Sequence, residues 1–158
     1  SFYDLCIELA SHMLRMSLGI TLKEAEEKVL ASIKDGSAYQ KFEEMVKYQG
    51  GNLEELVISD KVISIKSQKS GFVRSIKTNE LGEIVRKLGG GRYEKNDVID
   101  PTVGIVLSVK KGDYLLEDEE LVKVYINKKD ISAQEIIDCF EIDDSSGGLN
   151  PLVYEMVK

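Results

Sequence analysis

One histidine, two cysteines and no surplus of positive charge set the outer limits on what this chain does. His12 is the only imidazole, so a multi-histidine metal site is excluded. As a lone general base it competes with the commoner case, a histidine on a helix surface or in a core. Cys6 and Cys139 stand far apart in no motif, which removes both a disulfide framework and a zinc site. Each is expected to be a small buried apolar side chain. Lys and Arg number 21 against 28 Asp and Glu, a net charge of -7. A generic nucleic-acid binder draws its affinity from neutralised phosphates, so this balance argues against one. No apolar run reaches the length of a membrane span, and no signal-peptide pattern is present. The expectation is a cytoplasmic protein without a nucleic-acid or membrane partner.

What is present suits a folded domain. The 158 residues are 42% hydrophobic, enough to build a core. The chain opens at Ser1 already inside an amphipathic pattern, from which a piece of a larger protein is expected.

The first third reads as helix. Phe2, Leu5, Leu9, Met13 and Met16 recur at helical spacing up to Gly19. Thr21 and Glu24 have the spacing of a capping box, and Leu22, Ala25, Val29 and Ile33 follow as an apolar stripe ending at Gly36. Ser37 and Gln40 repeat the capping spacing before Ala38, Phe42, Met45 and Val46, with a stop at Gly50-Gly51. After Leu56 the pattern changes. KVISIKS, GFVRSIK, TVGIVLSV and LVKVYIN are short, rich in Val and Ile, and bounded by turn residues, as strands are. NELGEIVRKLGGG reads as a short helix capped by Asn79, SAQEIIDCF as another with Ser132 and Glu135 in capping spacing, EIDDSSGGLN as a loop and PLVYEMVK as a last strand. The expected fold class is α+β, with a helical segment over residues 1–55 and a mixed domain over 56–158.

The run LGGGR, Leu88 to Arg92, is the first candidate for chemistry. Successive glycines present N–H groups to a phosphate, and an arginine adds a bidentate charge. Phosphate loops, however, follow a strand and open a helix, so that the helix N-terminus faces the anion. Here the glycines follow a helix and precede a strand, where C-terminal caps belong. Gly89, Gly90, Gly91, Arg92, Asp97 and Asp100 are therefore read as a structural turn, with Arg92 paired to Asp97 or Asp100 to pin it. The carboxylate pairs Glu43-Glu44, Asp97 with Asp100, and Asp143-Asp144 lack the spacing of a calcium loop and read as solvated acids. Lys66, Lys69, Arg74 and Lys77 alternate with apolar residues, the outward face of a half-buried sheet. No catalytic constellation and no metal-ligand set emerges, and no cofactor is expected. VKKGDYLLEDEELVKV and SGFVRSI resemble the two halves of biotinyl and lipoyl carrier domains. Lys110 and Lys111 precede the Gly-Asp turn without the flanking residues of a modifiable lysine, which supports a sandwich shape and weakens a swinging-arm role.

Taken in order, QGG, SGFVRSI, the short helix, LGGGR, Asp97-x-Ile99-Asp100-x-x-Val103-Gly104-Ile105, KKGD and VYE resemble the C-terminal portion of pyrimidine nucleoside phosphorylases, a family that includes thymidine phosphorylase. The resemblance covers nearly the whole chain. It implies that residues 1–55 close the family's α/β domain and that the rest forms an α/β-hammerhead, barrel-sandwich-like C-terminal domain. It further implies a parent pentosyltransferase of nucleoside salvage, acting on inorganic phosphate and a pyrimidine nucleoside as a cytoplasmic homodimer. The family's phosphate- and base-holding residues match nothing in this chain, so catalytic residues are expected elsewhere and this chain alone is expected to be inactive. Some members bind a cation through carbonyls on the helix matching residues 1–18. Leu5 and Glu8 fall near those positions, but the acidic ligand is replaced within RMSLG, and no metal is assigned. The alternative reading is a free-standing lipoyl- or biotinyl-like binding module without catalysis.

Overall fold

Short turns at regular intervals divide the first 55 residues into three helices, and the computed structural model places them where helical periodicity ends. It describes residues 2–145 together with 147, 148, 151, 153 and 155. Helix α1 spans Phe2–Leu18, α2 Leu22–Lys34 and α3 Ser37–Tyr48, followed by a single 3-10 turn at Leu53–Glu55. The start of α2 is the capping box expected from Thr21 and Glu24. The Thr21 hydroxyl oxygen accepts the Glu24 N–H, and the Glu24 carboxylate accepts the Thr21 N–H at 2.9 Å. The expected Ser37 cap of α3 is corrected: Ser37 lies inside the helix, and Gly36, at φ 81°, is the capping residue without a side-chain bond. The Asp35 carboxylate accepts the Ser37 N–H instead, at 2.9 Å. The side-chain bond at the start of α3 thus comes from Asp35, the residue before Gly36, and not from Ser37.

The chain divides into two compact units, one of Ser1–Glu55 with Asn150–Lys158 and one of Leu56–Leu149. In the helical unit, α1 and α2 are bent 117° from each other, and neither is long and apolar enough to cross a membrane. Among its described residues only Ile7 and Ala25 are buried apolar side chains, with Ser11 beside them.

The second unit has its own core. Strands β1 (Lys61–Lys66), β2 (Gly71–Ile76), β3 (Gly104–Leu107), β4 (Tyr114–Leu115), β5 (Glu120–Ile126) and β6 (Phe140–Asp143) form two antiparallel sheets, in the orders β1-β5-β3 and β4-β2-β6. Helix α4 covers Thr78–Val85 and α5 covers Ala133–Ile137. Both sheets and both helices feed one apolar cluster. Ile65 faces Val122 and Ile63 faces Val124 across the first sheet, while Val73 opposite Ile142 and Ile76 opposite Phe140 serve the second. Leu81, Ile84 and Leu88 from the α4 segment, with Ile136 and Cys139, close it. Burying each such side chain contributes about 1.5–3 kcal/mol.

Four expectations need correction here. Cys6, expected to be buried like Cys139, is exposed on α1. Asn79 is inside α4, whose capping residue is Lys77 with no side-chain bond. Ser132 caps α5 as expected, accepting the Gln134 N–H, but Glu135 pairs with Lys87 instead of completing the cap, and the helix stops at Ile137. The segment from Phe140 to Asp143, expected as helix end and loop, is strand β6, because Phe140 and Ile142 alternate inward against β2. The terminal strand expected over residues 151–158 falls largely outside the described residues. The overall class is mixed helix and sheet, with two small antiparallel sheets.

Candidate functional site

Helix α4 does not end by fraying. Its last residues widen into a π-helical turn, Arg86–Gly90, in which Gly89 adopts φ 112° and ψ 0°. That backbone conformation is strained for any side chain. The reversal turns the Gly89 carbonyl toward the returning chain, where it accepts the Asp100 N–H at 2.9 Å. Gly90 and Gly91 are needed for a different reason, close approach. A Cβ on Gly90 would sit 2.7 Å from Val85 Cγ1 and 3.2 Å from the Val85 carbonyl oxygen, and one on Gly91 would lie 3.2 Å from Arg86 Cγ.

The loop leaving these glycines is fastened at two aspartates. Asp97 Oδ2 accepts the N–H groups of Tyr93 and Glu94, both at 2.9 Å. Asp100 Oδ1 accepts the Thr102 N–H at 3.0 Å and the Thr102 hydroxyl at 2.6 Å, and its Oδ2 accepts from Asn127 Nδ2 at 2.9 Å. Each carboxyl is held below its ordinary range. The cause at Asp97 is the Glu94 N–H and then that of Tyr93, and at Asp100 it is the Thr102 hydroxyl, then its N–H, then Asn127. Both therefore stay ionised near neutrality, with their oxygens committed to the fold. Neither is set up as a proton donor.

The structure brings Gly89 and Asp100 together and leaves Arg92 outside. Among the described residues no carboxylate comes within ion-pair distance of Arg92, so the expected Arg92 pair with Asp97 or Asp100 is absent. The arginine that does grip the turn is Arg86. Its guanidinium lies 4.1 Å from the centre of the Tyr93 ring and pairs with Glu83. Sequence reasoning also passed over Thr102 and Asn127. Thr102 carries a local signal, an Asp followed two residues later by a hydroxyl, which is the pattern of an Asx-type turn. Asn127 reaches the site only through the pairing of β5 with β3, and no spacing reveals it.

Beside the turn lies a depression of ≈ 350 Å³ walled by Leu88, Val98, Ile99 and Pro101, with Lys128 and Lys129 at its edge. Among the described residues no group of three or more His, Cys, Asp or Glu is placed to hold a metal ion. Lys110 and Lys111, weighed as carrier lysines, open a turn in which the Lys110 N–H donates to Asp113 Oδ2 at 3.0 Å. The arrangement can hold a loop rigidly against a sheet edge. It presents no nucleophile with a paired base.

The model of the pyrimidine nucleoside phosphorylase C-terminal domain matches residues 72–143, from β2 to the last residue of β6. Pyrimidine-nucleoside phosphorylases of Staphylococcus aureus strains USA300 and NCTC 8325 / PS 47 are each 36% identical over 135 residues. The match takes in 81% of this chain and 31% of each relative, so the chain spans about a third of their length. The relative from the bovine strain RF122 / ET3-1 matches over the same extent. These matches support the phosphorylase resemblance and do not favour the carrier-module alternative.

Proposed function

We propose that the chain, whose residues 72–143 match the model of the pyrimidine nucleoside phosphorylase C-terminal domain, is the C-terminal portion of a pyrimidine nucleoside phosphorylase. The reaction is phosphorolysis of uridine or thymidine. A phosphate oxygen attacks the anomeric carbon, the glycosidic C–N bond breaks, and the electron pair leaves with the base. The products are free base and ribose or deoxyribose 1-phosphate. Such a reaction needs groups that hold phosphate beneath the anomeric carbon and stabilise developing positive charge on the sugar. On this reading those groups lie outside this chain. Gly89, Gly90, Gly91, Asp97 and Asp100 shape the domain that accompanies them, and Arg92 is part of the same surface turn. The hammerhead, barrel-sandwich-like arrangement, the division into residues 1–55 and 56–158, and a cytoplasmic homodimeric parent belong to the same proposal.

The observation that carries it is the match of one continuous span holding the whole glycine turn, the β4-β2-β6 sheet and strands β3 and β5 of the other. The commitment of both aspartates to backbone and side-chain donors is its structural counterpart. The test is release of uracil or thymine from nucleoside and phosphate, followed chromatographically. The chain alone is expected to give none. Saturable turnover by the isolated chain would overturn the assignment of catalysis to residues elsewhere.

A further inference from the structure

Three carboxylates line one crevice between α1 and α2, and a buried hydroxyl sits in its floor. The crevice measures ≈ 250 Å³; Asp4, Glu8 and Glu26 supply the acids, and Ile7, Leu22 and Leu30 the apolar walls. Ser11 also lines it, is 2% exposed, and its hydroxyl oxygen has no hydrogen-bond partner among the described residues. A buried polar group left unsatisfied costs free energy, and a ligand that supplies the missing bond recovers it. Among the described residues no cation lies within ion-pair distance of Glu26, while Glu8 meets His12 Nε2 at 3.3 Å.

This crevice is separate from the apolar face that the helical unit leaves uncovered. At about 100° per residue, Ile7 and Ser11 lie on the opposite side of α1 from the exposed Phe2, Leu9, Met13 and Met16. Covering that stripe leaves the crevice open. On α2, Leu22, Glu26 and Leu30 recur every four residues and form the second wall as one stripe. Nor is it a carbonyl-held metal position of the kind the resemblance implies for α1, because its acids are side chains on two helices. Among the described residues no group of three His, Cys, Asp or Glu is placed to hold a metal ion. The three carboxylates therefore do not converge on one small cation. A longer cation that spans them answers the same charge.

We propose that this crevice binds an aliphatic diamine, one ammonium end on the carboxylates of α1 and the other on Glu26. Its methylene chain lies against Ile7, Leu22 and Leu30. An ammonium group carries three donors and no acceptor, so one end serves a carboxylate and Ser11 Oγ together. Bonds from an ammonium to a carboxylate are charge-assisted and stronger than neutral ones. The apolar walls reward a cation that carries methylenes over a hydrated inorganic ion. The chain's net charge of -7 raises the local concentration of any such cation. The inference stands on this geometry and does not rest on the function proposed above.

The test is calorimetric titration of the chain with putrescine, with butylamine and magnesium chloride as comparison probes at constant ionic strength. Saturable binding of putrescine is expected, roughly ten-fold tighter than that of butylamine, which lacks the second charged end. Glu26→Gln should weaken putrescine about ten-fold, while Glu43→Gln, an exposed acid on α3, should leave it within about two-fold. Ser11→Ala should weaken binding several-fold without lowering the melting temperature of the free chain. It removes an unsatisfied group and improves helix propensity. Absence of saturable binding, equal affinity for butylamine, or displacement by magnesium at matching concentration would overturn the diamine site. Equal losses in Glu26→Gln and Glu43→Gln would reduce the effect to the field of an acidic surface and overturn it as well. A Ser11→Ala chain that melts lower and binds putrescine unchanged would give the hydroxyl a partner in the fold and overturn the site as drawn.

Discussion

Replacing Gly90 by alanine separates a packed turn from a ligand cradle. The new Cβ would meet Val85 Cγ1 at 2.7 Å, the Val85 carbonyl oxygen at 3.2 Å and Val103 Cγ2 at 3.4 Å. Carbon atoms in good contact lie about 3.5–4.0 Å apart, so something must move. Val85 is β-branched and stiff about χ1, and its carbonyl is fixed at the end of α4. Relief therefore has to come from the turn itself, and overpacking of this kind costs about 1–3 kcal/mol. In a domain of this size each kcal/mol lowers the melting temperature by roughly 4–8 °C. Gly90→Ala is thus expected to melt at least about 5 °C below the parent, measured by circular dichroism. Gly82, in the middle of α4, provides the control, because a Cβ there meets nothing within 4 Å. Gly82→Ala should stabilise by about 0.4–1 kcal/mol through reduced entropy of the unfolded chain. If Gly90→Ala melts with Gly82→Ala or above it, and loses affinity for inorganic phosphate instead, the structural reading of the turn is wrong.

The two arginines should behave differently. Arg86→Ala removes the stack on Tyr93 and the pair with Glu83 and should lower the melting temperature measurably, while Arg92→Ala should shift stability by no more than about 0.5 kcal/mol. Equal effects in urea denaturation would contradict the geometry. Acid should weaken the turn. With folded pKa values depressed at Asp97 and Asp100, their contribution is complete above the ordinary carboxylate range and is lost as pH falls through the folded values, from about pH 4 downward. Asp100→Asn should flatten that part of the stability–pH curve, and an unchanged curve would count against it. Thr21→Ala should cost α2 about 1 kcal/mol of local stability, read by amide exchange.

Much of the fold was legible where one residue decides a local outcome. Thr21 and Glu24 announce the start of α2, and the Val- and Ile-rich runs announce β1, β2, β3 and β5. The misreadings came where a neighbour decides. Phe140–Asp143 is a strand because β2 offers it a partner, and its short FEID run is too brief to declare a period. Ser37 has the right chemistry for a cap and loses the position to the geometry of a two-residue junction, Asp35-Gly36. At the site the same division holds. The glycines and aspartates were identifiable as a turn from their place after a helix, but the choice of Arg92 over Arg86 was not corrected by anything local. Arg86 grips the turn because the chain reverses and brings Tyr93 over it.

The turn's motif reads as specific because its separated members touch one another. Gly89 accepts from Asp100, eleven positions on, and the space above Gly90 is bounded by Val103. Asp100 in turn reaches Thr102 and, through the β3–β5 pairing, Asn127. A pattern of this kind is constrained by mutual fit, so it can be recognisable without contributing a single group to catalysis. Arg92 tests that statement. It sits inside the motif with no ion pair to the turn's carboxylates, and acts on the turn as a nearby positive charge that helps hold the Asp97 carboxyl down. Asp97 acts by contact instead, since its two backbone acceptor bonds hold the loop.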